Sequence, residues 1–111
     1  LAHRAPLPVE VGEMPDGRLP EPVEAAAYYV VAESLTNVVR YADASRAKVD
    51  ISQSGGIVVI RIADDGVGGA DPRQGSGLNG LADRIAALDG SLALMSPIGE
   101  GTVVEVKIPC A

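Results

Sequence analysis

Three runs of alternating side chains constrain this chain more than any other feature. Ala47, Val49 and Ile51 alternate with Lys48, Asp50 and Ser52; Val58, Ile60 and Ile62 recur at the same spacing; Thr102, Val104, Val106 and Ile108 face one way while Val103, Glu105 and Lys107 face the other. A period of two is that of a strand with one buried face. Ser54-Gly55-Gly56 joins the first two runs at the spacing of a hairpin. The apolar face of such a sheet has to be covered, and two helical patterns are available to do it. The first runs from about Pro22 to Tyr41, with Val23, Ala27, Val30, Val31 and Val38 as its apolar stripe. The second runs from about Leu78 to Asp89, with Leu81, Ile85 and Leu88 on its buried face and Gly90 as its stop signal.

Two further segments complete the plan. Leu7 to Val11 alternates weakly and reads as a short edge strand, and Leu92 and Leu94 mark a strand ahead of the last one. Gly12 to Pro22 and Asp64 to Gly80 read as loops. The expected fold is α+β: a two-layer α/β sandwich with a mixed, mostly antiparallel sheet and its helices on one face. One domain over residues 1–111 accounts for the whole chain. Hydrophobic residues make up 47% of it, yet its only aromatics are three Tyr, so the core must be built from Val, Ile, Leu and Ala.

Charge and composition exclude several function classes. The net charge is −6 without any run of Lys or Arg, which argues against a general nucleic-acid surface. No apolar run of ~18 residues is present and no signal peptide is visible, so no direct membrane contact is expected of this domain. Cys110 is the sole cysteine and is read as an exposed, incidental thiol. The chain begins with Leu1, which suggests a fragment of something longer.

Chemistry-bearing residues fall in three places. Glu33, Asn37 and Arg40 share one edge of the first helix at i, i+4, i+7, where a carboxylate, an amide and a guanidinium could hold a metal ion and phosphates; a solvated helix edge has the same pattern. Asp64-Asp65-Gly66-Val67-Gly68-Gly69 follows a strand directly, either as plain turn chemistry or as an acid presented at the sheet's edge beside backbone that a ligand can approach. Gly75-Ser76-Gly77-Leu78-Asn79-Gly80 spells G-x-G-x-x-G. It fails as a dinucleotide fingerprint because Ala70 to Gln74 is no buried parallel strand, and as a P-loop because Leu81-Ala82 follows it. What remains is the phosphate affinity of free N–H groups at a helix start. Asp65, Asp71 and Glu100 read as solvated loop acids, Arg73 and Arg84 as exposed cations, Met95 as core filler and His3 as incidental.

Taken in order, Glu33-x-x-x-Asn37-x-x-Arg40-Tyr41, Asp64-x-Gly66-x-Gly68, Gly75-x-Gly77-Leu78-x-Gly80-Leu81 and Gly99-x-Gly101-Thr102 resemble the N, G1 and G2 boxes and closing strand of the Bergerat-fold (GHKL) ATP-binding domain of histidine kinases. The Glu-Ser-Leu-Thr-Asn wording, the short interval between the G1 and G2 boxes, and Gly-Leu-Ala-Asp-Arg resemble the sensor kinases paired with LuxR/NarL-type response regulators. The resemblance implies the Mg-ATP-binding catalytic domain of a two-component sensor histidine kinase, cytoplasmic, which donates the γ-phosphoryl group of ATP to a His on a separate dimerisation domain outside this chain.

Carried over residue by residue, the resemblance implies that Asn37 ligates Mg²⁺ and Glu33 takes the proton of the accepting imidazole or polarises it. Arg40 and Tyr41 would face the phosphates. Asp64 would accept from the adenine amino group, with Thr102 in support. Gly66 and Gly68 would let the base pack closely, and Gly75, Gly77, Leu78 and Gly80 would form the hinge and phosphate end of the ATP lid. The lid, from Ala70 to Gly77, is expected to be mobile without nucleotide. The alternative in a different class is an anti-sigma-factor-like regulatory switch on the same fold. The ATPase heads of gyrase, chaperone or mismatch-repair proteins carry insertions for which 111 residues leave no space.

Overall fold

The computed structural model describes residues 9–12, 14, 17, 19–38, 44–69 and 78–110. Strand β1 (Val9–Val11) is followed by helix α1 (Glu21–Asn37), strands β2 (Ala47–Ser54) and β3 (Ile57–Asp64), helix α2 (Leu78–Ala86), and strands β4 (Ser91–Met95) and β5 (Thr102–Pro109). The strands form one sheet in the order β1-β2-β3-β5-β4. Only the β1–β2 pair is parallel; the others are antiparallel. This is the mixed α+β sandwich that the alternation implies.

The β2–β3 hairpin turns on Gly55 and Gly56, both at positive φ (61° and 77°). A two-residue loop with both central residues left-handed matches the twist of the flanking strands. It sets the register from Ser54↔Ile57 to Ala47↔Asp64. Inward residues therefore line up across three strands, and Val49, Val58, Ile60, Ile62, Val104, Val106 and Ile108 form one buried face. Leu19, Val23, Ala26, Ala27, Val30, Leu81 and Ile85 cover it from the helical side.

Helix α1 opens without a side-chain cap at Pro20. Glu24 instead accepts the Leu19 N–H on Oε2 (3.2 Å), and its own N–H bonds the Pro20 carbonyl (2.9 Å). With Glu21 it also puts negative charge on the positive end of the helix. The two helices meet at the surface, where the exposed Arg84 guanidinium lies 4.1 Å from the centre of the Tyr29 ring, an interaction worth about 0.5–1 kcal/mol.

Four details differ from expectation. The second helix ends at Ala86, and the left-handed residue that stops it is Asp89 (φ 61°), with Gly90 one place further on. Asp89 N–H bonds the Ala86 carbonyl and Gly90 N–H the Ile85 carbonyl (both 3.0 Å), a Schellman ending in which Gly90 is required for space: a Cβ there would lie 2.6 Å from the Lys107 carbonyl oxygen. Met95 is 47% exposed, because β4 turns Leu92 and Leu94 toward the core and its alternation puts Met95 on the opposite face. Cys110 is half-buried against the core and its sulfur accepts a hydrogen bond from Gln53 Nε2 (3.4 Å). Asp65 is exposed, as read, but is hydrogen-bonded.

Candidate nucleotide site

Asp64, Gly66, Gly68 and Thr102 gather where β3 ends. Asp64 is the last residue of β3 and pairs in register with Thr102, the first of β5. Its Oδ1 accepts the Gly66 N–H (2.8 Å), so the turn after the strand is closed by the acid's own side chain. Burial raises its pKa and the neighbouring Asp65 charge adds to this, while the Gly66 and Thr102 N–H groups pull it back. A half-buried carboxylate held by backbone amides is a fixed acceptor.

Two loops floor this strand end. Gly69 N–H bonds the Ser96 carbonyl (2.7 Å) and Gly99 N–H the Val67 carbonyl (2.6 Å), zipping the loop after β3 to the β4–β5 connection. Gly68 has φ 67°, and a Cβ on it would collide with the Pro97 carbonyl oxygen. The close approach at Gly68 is thus made by this protein's own backbone. Thr102 is half-buried on the inward face of β5, as its alternation indicates, and its Oγ1 shares a 2.6 Å hydrogen bond with Ser96 Oγ. Ser96 was not singled out from the sequence. Extending the β4–β5 register by one residue beyond Met95↔Val103 places it opposite Thr102.

On α1, Glu33 and Asn37 are half-buried at the edge of the buried stripe. Asn37 Nδ2 is buried with no hydrogen-bond partner among the described residues, and so is Ser34 Oγ. An unpaired buried polar atom costs about 1–3 kcal/mol, so each needs a reason. Gly80 lies exposed in the first turn of α2, and beyond its own helix a Cβ on it would meet no atom of the described residues within 4 Å. A glycine there weakens the helix by about 0.5–1 kcal/mol relative to alanine, and no neighbour among the described residues asks for it. Leu78 begins α2. Arg40, Tyr41, Gly75 and Gly77, with the expected lid from Ala70 to Gly77 and His3, lie outside the described residues.

Among the described residues, no helix is long and apolar enough to cross a membrane.

Known proteins place this arrangement. Residues 23–111 match the family described as histidine kinase-, DNA gyrase B- and HSP90-like ATPase. The oxygen sensor histidine kinase NreB of Staphylococcus carnosus is 31% identical over 96 residues, covering 83% of this chain and 28% of the relative. The sensor histidine kinase YxjM of Bacillus subtilis is 33% identical over 90 residues (81% and 22%). The histidine-protein kinase/phosphatase DegS of Bacillus subtilis is 27% identical over 105 (89% and 27%). The chain therefore spans about a quarter of the length of these relatives.

Among solved structures, the blue-light activated histidine kinase of Erythrobacter litoralis superposes with a TM-score of 0.80 at 23% identity, over 98% of this chain and 37% of that one. Histidine kinase AdeS of Acinetobacter baumannii does so with 0.75 at 19%, over 97% and 56%. These two establish the fold. With the family match over most of its length, the chain belongs to the histidine kinase-, DNA gyrase B- and HSP90-like ATPase family.

Proposed function

We propose that this chain is the Mg-ATP-binding catalytic domain of a two-component sensor histidine kinase, one domain of a longer cytoplasmic or membrane-anchored protein that partners a LuxR/NarL-type response regulator. The observation that carries the reading is Asp64: a half-buried strand-end carboxylate, fixed by the Gly66 amide and paired with Thr102, at the position where the family's motif puts its adenine acceptor. The names of the similar full-length proteins, all histidine kinases, support the kinase assignment.

In this reading Asp64 accepts the adenine amino group, with Thr102 and its Ser96 partner beside it, and Gly66 and Gly68 shape the backbone under the base. Arg40, Tyr41, Gly75, Gly77, Leu78 and Gly80 face the phosphates. A glycine in an exposed helix turn that no neighbour among the described residues requires fits close approach by a phosphate at the start of α2. Glu33 takes the imidazole proton as the ring nitrogen bonds to the γ-phosphorus and the bond to the β-phosphate oxygen breaks, releasing ADP. Phosphoryl transfer asks mainly for such positioning and charge neutralisation.

Asn37 fits the metal role. Its Oδ1 is the atom that would ligate a cation, while the buried unpaired atom is Nδ2, a donor that would face a phosphate oxygen beside it. Among the described residues no three His, Cys, Asp or Glu side chains converge. A cation here would draw its other oxygens from phosphate and water, the usual way Mg²⁺ is held. A cation held by Asn37 would supply neutralisation of the phosphate charge.

Calorimetric titration with a non-hydrolysable ATP analogue, with and without Mg²⁺, tests the assignment. Wild type should bind in a magnesium-dependent manner. Asp64→Asn should weaken binding by about 10- to 100-fold, the worth of a charged hydrogen bond, and Asn37→Ala should remove the magnesium dependence with the fold intact. Full retention in both variants would sink the site as drawn.

A further inference from the structure

The inward faces of three strands end in polar side chains on one line. Ile62, Val104 and Leu94 sit opposite one another across β3, β5 and β4 and pack in the core. Two residues nearer the same end of the sheet, on the same face, stand Asp64, Thr102 and Ser96, all half-buried. Thr102 is the middle member, paired with Asp64 on one side. Ser96, on the other side, is held twice. Its carbonyl accepts the Gly69 N–H (2.7 Å), and its Oγ lies 2.6 Å from Thr102 Oγ1.

Two hydroxyls joined by one hydrogen bond have two protons, one used in the bond and one left over. Which oxygen keeps the spare proton decides what the row offers. If Thr102 donates to Ser96, it presents only lone pairs beside the Asp64 carboxylate. If Ser96 donates to Thr102, the spare proton is on Thr102, where the field of the neighbouring carboxylate favours it. The row then offers an acceptor, Asp64, next to a donor, Thr102. That order complements a base with an amino group beside a ring-nitrogen acceptor. It opposes a base with a carbonyl and a ring N–H in the same two places.

We propose that Ser96 is a positioning residue which donates its hydroxyl proton to Thr102 and so makes Thr102 the donor to the ring nitrogen beside the adenine amino group. This rests on the nucleotide reading above and deepens it: Ser96 acts through Thr102, and its backbone bond to Gly69 fixes the place from which it acts.

The test titrates ADP and 1-deaza-ADP, in which a C–H replaces that ring nitrogen, into wild type, Ser96→Ala, Ser96→Cys and Ser96→Thr with Mg²⁺ present, at a temperature where circular dichroism shows each folded. Wild type should bind 1-deaza-ADP about tenfold more weakly than ADP, the worth of one hydrogen bond. Ser96→Ala should weaken ADP by about three- to tenfold and leave 1-deaza-ADP within about twofold, because only a ligand with the ring nitrogen uses the Thr102 proton. Ser96→Thr keeps a hydroxyl and should restore ADP to within about twofold. Ser96→Cys, a weaker donor, should follow Ser96→Ala with a smaller loss, and carries the test should Ser96→Ala not fold. Unchanged ADP affinity in Ser96→Ala and Ser96→Cys overturns the proposal and leaves the nucleotide site standing. So does an equal loss for both ligands, the mark of a merely structural serine, and so does a wild type that binds the two ligands equally. Wild type that binds neither overturns both.

Discussion

The two ends of β3 make an instructive pair. At the Ile57 end the chain leaves a closed turn, with Gly55 and Gly56 in left-handed conformations and the Cys110 N–H bonded to the Gly56 carbonyl (2.8 Å). Nothing there is chemically exceptional. At the Asp64 end the strand stops on a carboxylate whose pKa burial raises, and next to it stands another whose pKa hydrogen bonds lower. Between the two ends run Val58, Ile60 and Ile62, all buried. The same strand thus stores stability along its middle and one end, and reserves unsettled polar chemistry for the other. The proposed ligand site costs the fold little because the core does not depend on it.

The comparison can be broken hardest in the middle. Ile60 is fully buried, so Ile60→Ala should destabilise by about 2–5 kcal/mol in urea unfolding, while the folded fraction still binds nucleotide as wild type does. At the turn end, Gly56→Ala forces a side chain into a positive-φ position and should cost about 1–2 kcal/mol, again with no change in nucleotide affinity. An affinity loss in either would show that the two ends are coupled.

Ser34→Ala should move stability the other way. The hydroxyl is buried without a partner among the described residues, so deleting it should stabilise the fold by about 1 kcal/mol. A destabilised variant would mean that the hydroxyl has a bonded role.

The smallest effect is in the pH dependence of stability. Asp64, with its folded pKa above 3.8, binds more protons folded than unfolded, so its contribution falls as pH rises through that range. Asp65 is the opposite: its contribution is present above 3.8 and is lost as pH falls from there toward about 2. Urea unfolding between these limits should show Asp65→Asn losing less stability on acidification than wild type.

Much of this arrangement was legible in the residues, and the exceptions have physical reasons. The alternation of Val and Ile located β2, β3 and β5 because a half-buried strand has no other way to hide one face. The end of β3 at Asp64 and the inward side of Thr102 followed from the same period. What alternation does not carry is the partner of each strand. Met95 is the exception within reach of alternation itself: Leu92 and Leu94 turn inward, so Met95, one residue on, faces the other way. Gly90 concealed Asp89, since glycine is the usual left-handed residue after a helix and an Asp that tolerates the same conformation gives no sign of it. The bonds that Asp65 accepts from Ser45 and Arg46 join positions twenty and nineteen residues apart in the chain. Even so, the two-residue turn that sets Ala47 against Asp64 puts Arg46 against Asp65 when carried one step further, so the clue lay in the register and not in the motif.

The strand order also dictates a sequence of events in time. The β2–β3 and β4–β5 hairpins are each local and can close in roughly 1–10 μs. The seam between β3 and β5 joins Asp64 to Thr102 and Ile57 to Pro109 only after the intervening helix and β4 have been looped out, and such distant closures set the pace of folding. Because the proposed base pocket straddles that seam, a newly made chain acquires its two hairpins first and its capacity to recognise a nucleotide last.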